Sequence, residues 1–297
     1  MSKRTLAFLA AIGATTIYGL NHTIAKGVMP LYIKPFGFIL LRVIGASILF
    51  WMISIFGPKE KIEKKDWGRM LLAALLGMVI NMNAFFKGLQ LSTPINSSVL
   101  ITISPIIVIL LSAFFLKEKI TFNKALGILL GFIGALILVL FGAEIRQDAP
   151  NILLGNTLFI LNATAYATYL IVAKKLVAKY HPFTLMKWLF TIALLINLPF
   201  TLPEFLEIQW ATMPLWVYGT LSFVIIGTTF CTYLFNIFAM TQLKASTIGA
   251  FIYIQPLFGI IFALIAGKDS LTMVKVGATV LVLSGVYLAS KKIKTAT

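Results

Sequence analysis

What this sequence has least of is charge. Of its 297 residues 11% are charged, with nine acidic side chains against 25 Lys and Arg, while 60% are hydrophobic. Soluble domains carry roughly a quarter charged residues and roughly half apolar ones, so the composition excludes an ordinary soluble protein. A single cysteine, Cys231, excludes an intrachain disulfide and any metal site built on several thiolates. The phosphate-cradling pattern GxxxxGK[ST] is absent, which removes an ATP-driven motor carried on the same chain. The longest polar breaks, around Gly57 to Trp67, Gly142 to Asn151 and Pro203 to Met213, run to about ten residues each, too few for a soluble domain.

What fills the chain instead is apolar runs of membrane length, since a helix needs about 20 such residues to cross the hydrocarbon core. They fall at 5–26, 35–56, 68–89, 93–116 and 122–141, then at 152–173, 183–202, 214–238, 246–266 and 271–290. The reading is an all-α integral membrane protein with ten transmembrane helices. The first run follows the basic start Met1-Ser2-Lys3-Arg4, as a signal peptide would, but it exceeds the roughly 7–15 apolar residues of one and is expected to stay as a helix.

A formal charge of +16 raises the question of nucleic acid, which the placement of the basic residues answers. With a cytoplasmic amino terminus, 18 of the 25 Lys and Arg fall on the inner side and 6 outside, and Arg42 lies within a span. This is the positive-inside pattern of a multi-pass protein of the cell's inner (plasma) membrane with both termini cytoplasmic, and no nucleic-acid partner is expected. Trp51, Trp67, Trp188, Trp210 and Trp216 all fall near span ends, where an interfacial aromatic belt belongs.

The chain also resembles itself. A shift of 151 residues superposes Pro105 on Pro256, Glu118 on Asp269, Thr121 on Thr272, Lys124 on Lys275 and Gly134 on Gly285. A shift of 148 pairs Tyr18 with Tyr166, Ala25 with Ala173 and Lys26 with Lys174. Two repeats, 1–146 and 147–297, are therefore expected. Because each holds five spans, the second must enter the membrane from the opposite side. Inverted repeats around a midplane site are the recurring architecture of secondary transporters, whose halves exchange inward-facing and outward-facing roles.

Four features stand out together: Tyr18-Gly19-Leu20-Asn21 with Lys26, Arg42 early in the second span, the run Pro94 to Pro105, and Lys117-Glu118-Lys119-Ile120-Thr121. In these the chain resembles a known family, the EamA-like branch of the drug/metabolite transporter superfamily. The features match the family's W-G-x-N-x-x-x-x-K and its proline-centred helix ending in G-E-x-x-T, except that Tyr18 replaces tryptophan and Lys117 stands where glycine is common. The resemblance implies ten helices, a central cavity lined mainly by spans 1, 3, 4, 6, 8 and 9, and transport of amino acids, nucleosides or related small metabolites.

Within the spans the polar residues fall in stripes. All nine acidic residues lie in loops or at span ends, which disfavours a mid-membrane carboxylate relay for protons. Tyr18, His22 and Lys26 recur every four residues on one face of the first span. His22 is either the protonation-linked residue or an interhelical hydrogen-bonding group beside a Lys26 that snorkels outward. Arg42 is read as a snorkelling structural cation or as a contact for an anionic substrate group. Pro105 and Pro256 stand near the centres of spans 4 and 9, freeing the carbonyls of Ile101 and Ile252. Ser98, Thr102 and Tyr253 are the side chains expected to meet those carbonyls or a ligand.

The remaining candidates are Asn81, Asn83 and Phe85 in span 3, Asn162, Tyr166 and Tyr169 in span 6, and Thr229, Tyr233 and Asn236 in span 8. Amides and hydroxyls among aromatics suit a neutral or zwitterionic metabolite, and the same groups also serve as interhelical adhesive. Gly127, Gly131 and Gly134 predict close packing of span 5, against span 10 or across a dimer. The expectation is a transporter with a small-molecule substrate and lipid contacts, monomeric or homodimeric, with no cofactor and no metal site. A membrane enzyme acting on lipid is the rival reading, and it lacks the cluster of His, Asp, Glu or Cys that such chemistry needs. A purely structural protein would have no use for paired midplane prolines.

Overall fold

The computed structural model describes residues 2–116, 120–141, 147–242 and 255–290. Almost all of them are helical, because an apolar chain must satisfy its backbone polar groups internally. The helices are α1 (Lys3–Val28), α2 (Pro35–Ser54), α3 (Trp67–Ala74), α4 (Asn81–Leu91), α5 (Pro94–Ile101), α6 (Ser104–Leu116) and α7 (Phe122–Phe141). They continue as α8 (Ile152–Val177), α9 (Pro182–Leu206), α10 (Leu215–Ser222), α11 (Thr232–Gln242), α12 (Gln255–Ile265) and α13 (Met273–Ser290). Two π-helical stretches, Leu75–Ile80 and Phe223–Cys231, join α3 to α4 and α10 to α11 into continuous rods. Among the described residues six segments are long and apolar enough to cross a membrane: Pro35–Ser54, Lys64–Leu91, Pro94–Leu111, Ile152–Val177, Pro182–Leu206 and Leu215–Asn236.

Local chemistry sets the helix starts. Proline occupies the first turn of α2, α5 and α9, where its missing N–H is not needed. Thr93 and Asn151 cap α5 and α8 by accepting from the backbone N–H groups of Asn96 and Leu154. Span 4, read as one continuous helix over 93–116, is divided. It breaks at Thr102 and Ile103, so Pro105 stands second in α6 and begins a helix instead of bending one.

Packing is arranged in pairs. α2 lies against α9 and α7 against α13, flanking a middle group in which α4 packs on α8, α1 on α11 and α12, and α5 on α12 and α8. The glycine stripe belongs to the second flank: a Cβ on Gly134 would stand 2.9 Å from the Ala278 carbonyl oxygen, and one on Gly285 would stand 2.5 Å from the Gly131 nitrogen. Of the two expectations for that stripe, the contact between spans 5 and 10 is the one observed.

The α2/α9 pair is fastened at both ends. Glu204 accepts from the N–H groups of Phe36 (2.7 Å) and Gly37 at the start of α2, and Lys34 pairs with Glu207. At the other end Glu60 accepts from the N–H of His181 just ahead of α9 (2.7 Å), and Lys179 bridges Glu63 and Asp66. Trp188 meets both Trp51 and Trp67 edge to face, while Trp216 meets Tyr32 and Trp210 meets Phe205. The outward surface is apolar, with Phe56, Phe114 and Met273 each more than three-quarters exposed.

Candidate functional site

Arg42 of α2 and four tyrosines of the middle group are gathered inside the bundle. α1 carries Tyr18, the hydroxyl of which faces Thr232 and Asn236 of α11. α8 carries Tyr166 and Tyr169 with ring centroids 6.0 Å apart, and α11 carries Tyr233, edge to face with Phe190 at 5.3 Å. Tyr18, Arg42, Tyr166, Tyr169 and Tyr233 all lie within electrostatic range of one another or of a shared neighbour. Arg42 is buried eight residues into α2. Its Nε donates to Thr229 Oγ1 at 2.9 Å, and its guanidinium lies 4.7 Å from the centroid of the Phe86 ring. It does not snorkel.

Both π-helical stretches adjoin this cluster. In a π-helix the widened turn re-aims side chains, and such turns recur at functional sites. In Phe223–Cys231 the Thr229 hydroxyl donates to the Val224 carbonyl five residues earlier and so turns its oxygen toward Arg42. In Leu75–Ile80 a Cβ on Gly77 would stand 2.6 Å from the Tyr169 ring, so glycine is what lets that ring lie flat on the backbone.

His22 has both ring nitrogens engaged. Nδ1 lies 2.6 Å from Ser97 Oγ and Nε2 lies 3.3 Å from Gln255 Nε2, while the Ser97 hydroxyl donates to the Pro94 carbonyl. The consistent assignment has Gln255 donating to Nε2 and Nδ1–H donating to Ser97, a neutral imidazole tying α1 to α5 and α12. Phe85 closes one side of it, edge to face at 5.4 Å.

The other expected residues divide by what they already hold. Asn81 and Asn162 bond reciprocally, each side-chain amide donating to the other's backbone carbonyl at 3.3 and 2.8 Å, which zips α4 to α8. Asn83 turns away to Asn197 of α9. Ser98 and Thr102 donate to the carbonyls of Pro94 and Val99, and Ser98 packs on Gly259. The carbonyl of Ile101, expected to fall to them, is met instead by the Ser104 hydroxyl at 2.7 Å. Tyr253 and Ile252 lie outside the described residues, as does Glu118.

Lys26 is likewise inward. Its ammonium donates to the carbonyls of Leu89 (2.7 Å), Gln90 (3.0 Å) and Ser92 (2.8 Å), and to that of Asp148 (2.5 Å). The last carbonyls of a helix have no partner within it and form its negative end, so a cation there completes α4. Asp269 does the converse, accepting from the Ile95 N–H at the start of α5 (3.0 Å) while paired with the buried Lys275 at 3.0 Å. Sequence reasoning did not single out Gln255, Ser97, Thr232 or Phe86. For Gln255 the signal was its place beside Pro256, whereas the π-helical turns leave no trace in sequence.

At the end of the α2/α9 pair fastened by Lys179, the Lys179 and Lys65 ammonium groups hold the Glu63 carboxyl below its ordinary value, and Asp66 together with Glu63 raises Lys179. Among the described residues no three His, Cys, Asp or Glu side chains group as metal ligands.

Comparison with known proteins agrees with this picture. A model of the EamA-like transporter family matches twice, over residues 5–140 and 153–291. An uncharacterized transporter of Archaeoglobus fulgidus is 28% identical over 277 residues, covering 93% of this chain and 96% of that one. The uncharacterized transporter YetK of Bacillus subtilis is 26% identical over 298 residues, covering 99% and 89%. A solved crystal structure superposes with a TM-score of 0.63 over 96% of this chain and 97% of its own at 16% identity, a likeness of fold.

Proposed function

From the premise that this chain belongs to the EamA-like transporter family, we propose that it is a secondary transporter of small metabolites such as amino acids, working by alternating access around a midplane site. That it is a membrane transporter and not an enzyme follows from the family and from relatives that are themselves named transporters. The observation that carries the finer reading is the convergence of Tyr18, Tyr166, Tyr169, Tyr233 and Asn236 with a buried Arg42 inside the bundle. Aromatic rings bearing hydroxyls, with a few polar groups among them, form a site for a small amphipathic solute.

The same proposal takes the chain to cross the inner membrane ten times, as two inverted repeats, 1–146 and 147–297, with both termini cytoplasmic. What supports it is the packing: adding five to each span number turns the contact of spans 3 and 6 into that of spans 8 and 1, and leaves the pairs 2 with 7, 5 with 10 and 4 with 9 unchanged. Transport by one repeat rocking against the other fits that symmetry. Export is the direction the family resemblance favours. With His22 held between two partners and, among the described residues, no carboxylate in the tyrosine cluster, facilitated diffusion or exchange is the coupling proposed.

The test is uptake into proteoliposomes of the purified chain, with a panel of amino acids and nucleosides, with and without a pH gradient. At least one amino acid is expected to enter, with little effect of the gradient. Failure of every member to cross, in protein shown to be folded, would sink the reading.

A further inference from the structure

Three cations are buried in the described bundle, and two of them have oxygen partners in plenty. Lys26 has its four carbonyls, and Lys275 has the Asp269 carboxylate and the Ser270 carbonyl. Arg42 is different. It is 5% exposed, one of its five N–H donors reaches Thr229, its face rests on Phe86, and among the described residues no carboxylate pairs with it. A guanidinium keeps its charge in any protein environment, and an uncompensated buried charge is strongly unfavourable. The four donors on the two terminal nitrogens form a planar fork shaped for an anion with two parallel oxygens. Around it stand tyrosines and, among the described residues, no competing acid.

We propose that Arg42 is the anchor for a carboxylate on the transported solute, which makes the substrate class a monocarboxylic acid with an apolar body, amino acids included. This rests on the transporter reading above. A single cation neutralises one carboxylate, whereas a phosphate dianion would leave a net charge buried in the same place. The body of the solute lies among Tyr18, Tyr166, Tyr169 and Tyr233, and an α-ammonium group, where present, is received by a tyrosine face. Thr229 acts as a positioning residue, holding Nε so that the fork points inward.

The experiment compares each L-amino acid with its own carboxamide, which keeps the body and removes the negative charge. The full chain in detergent is melted in the presence of each, and uptake is measured in proteoliposomes. At least one acid is expected to raise the melting temperature by several degrees while its amide does not. In Arg42→Gln that shift is expected to vanish and uptake of the same acid to fall about tenfold or more, in line with loss of one partner of a buried charge pair. Equal stabilisation by acid and amide, an acid-induced shift that survives in Arg42→Gln, or no shift by any acid would overturn the proposal. If Arg42→Gln does not fold, the acid against amide comparison on the unaltered chain decides. Uptake of a nucleoside that is indifferent to Arg42 would leave the transporter standing and remove only the carboxylate anchor.

Discussion

Tyr18 and Tyr166 are related by the internal shift of 148 residues and meet in one cluster, although they come from helices running in opposite directions. A ring that packs across a pathway while its hydroxyl is held by the facing helix stabilises the closed state on its own side. Tyr18→Ala is accordingly expected to favour outward opening and Tyr166→Ala inward opening. In a Cys231→Ser background, a thiol at Asn236, probed from each side with an impermeant maleimide, should change its labelling in opposite senses in the two variants. A change in the same sense, or none in folded protein, returns both tyrosines to simple packing. The stripe Tyr18, His22, Lys26 was legible in sequence because its period of four is a helical period. The separate tasks of its members were not. Whether a lysine reaches outward or turns to cap a helix is decided by where another helix ends, here α4 at Leu91, and nothing local to Lys26 encodes that.

At the scale of elements, the sequence located the helices well because membrane length and apolarity are properties of contiguous residues. It misjudged the breaks. Pro105 was read as lying inside one continuous span 4 and freeing the Ile101 carbonyl, but a helix that stops at Ile101 and restarts at Ser104 has no N–H to lose at Pro105. Pro105→Ala should therefore cost less than about 1 kcal/mol in thermal or denaturant unfolding, far below the roughly 3 kcal/mol of a proline inside a helix. Asp269→Asn should cost more, about 3 kcal/mol, because it breaks a buried ion pair and weakens the cap on α5. Turnover per folded molecule should be little changed by Asp269→Asn, since the carboxylate fastens helices and lies outside the tyrosine cluster. Loss of proton-driven uptake with substrate exchange intact would contradict this.

The Lys179 fastening has its own pH signature. The Glu63 carboxyl is lowered by Lys179 and Lys65, so its contribution to stability is complete above the ordinary carboxylate value, about 4.3, and fades as pH falls through the lowered one. Lys179 is raised, so its contribution is complete below about 10.4 and fades only at higher pH. The difference in melting temperature between the unaltered chain and Lys179→Met should thus be flat from about pH 5 to about pH 9 and shrink on the acid side. A difference that grew on acidification would show that Lys179 acts through something other than these carboxylates.

For the whole molecule, the basic residues predict which way it sits. A thiol at Ser2 or Thr297 in the Cys231→Ser background should react with an impermeant maleimide only after cells are opened, and labelling of either in intact spheroplasts would reverse the orientation. Ends read to lie on the same side of the membrane do meet in the fold, Glu60 and Asp66 with the residues after α8, and Asp269 with the start of α5. The pairing of α2 with α9 carries this further. Each of these antiparallel helices has its amino end held by a glutamate from the carboxyl-end region of the other, Glu204 in the last turn of α9 for α2 and Glu60 beyond the end of α2 for α9. Sliding one along the other would pull against a carboxylate at both ends at once, in opposite senses, so the pair resists shear in either direction. It is a strut that bridges the two halves of the chain, and whatever tilting the tyrosine-bearing helices undergo is measured against it.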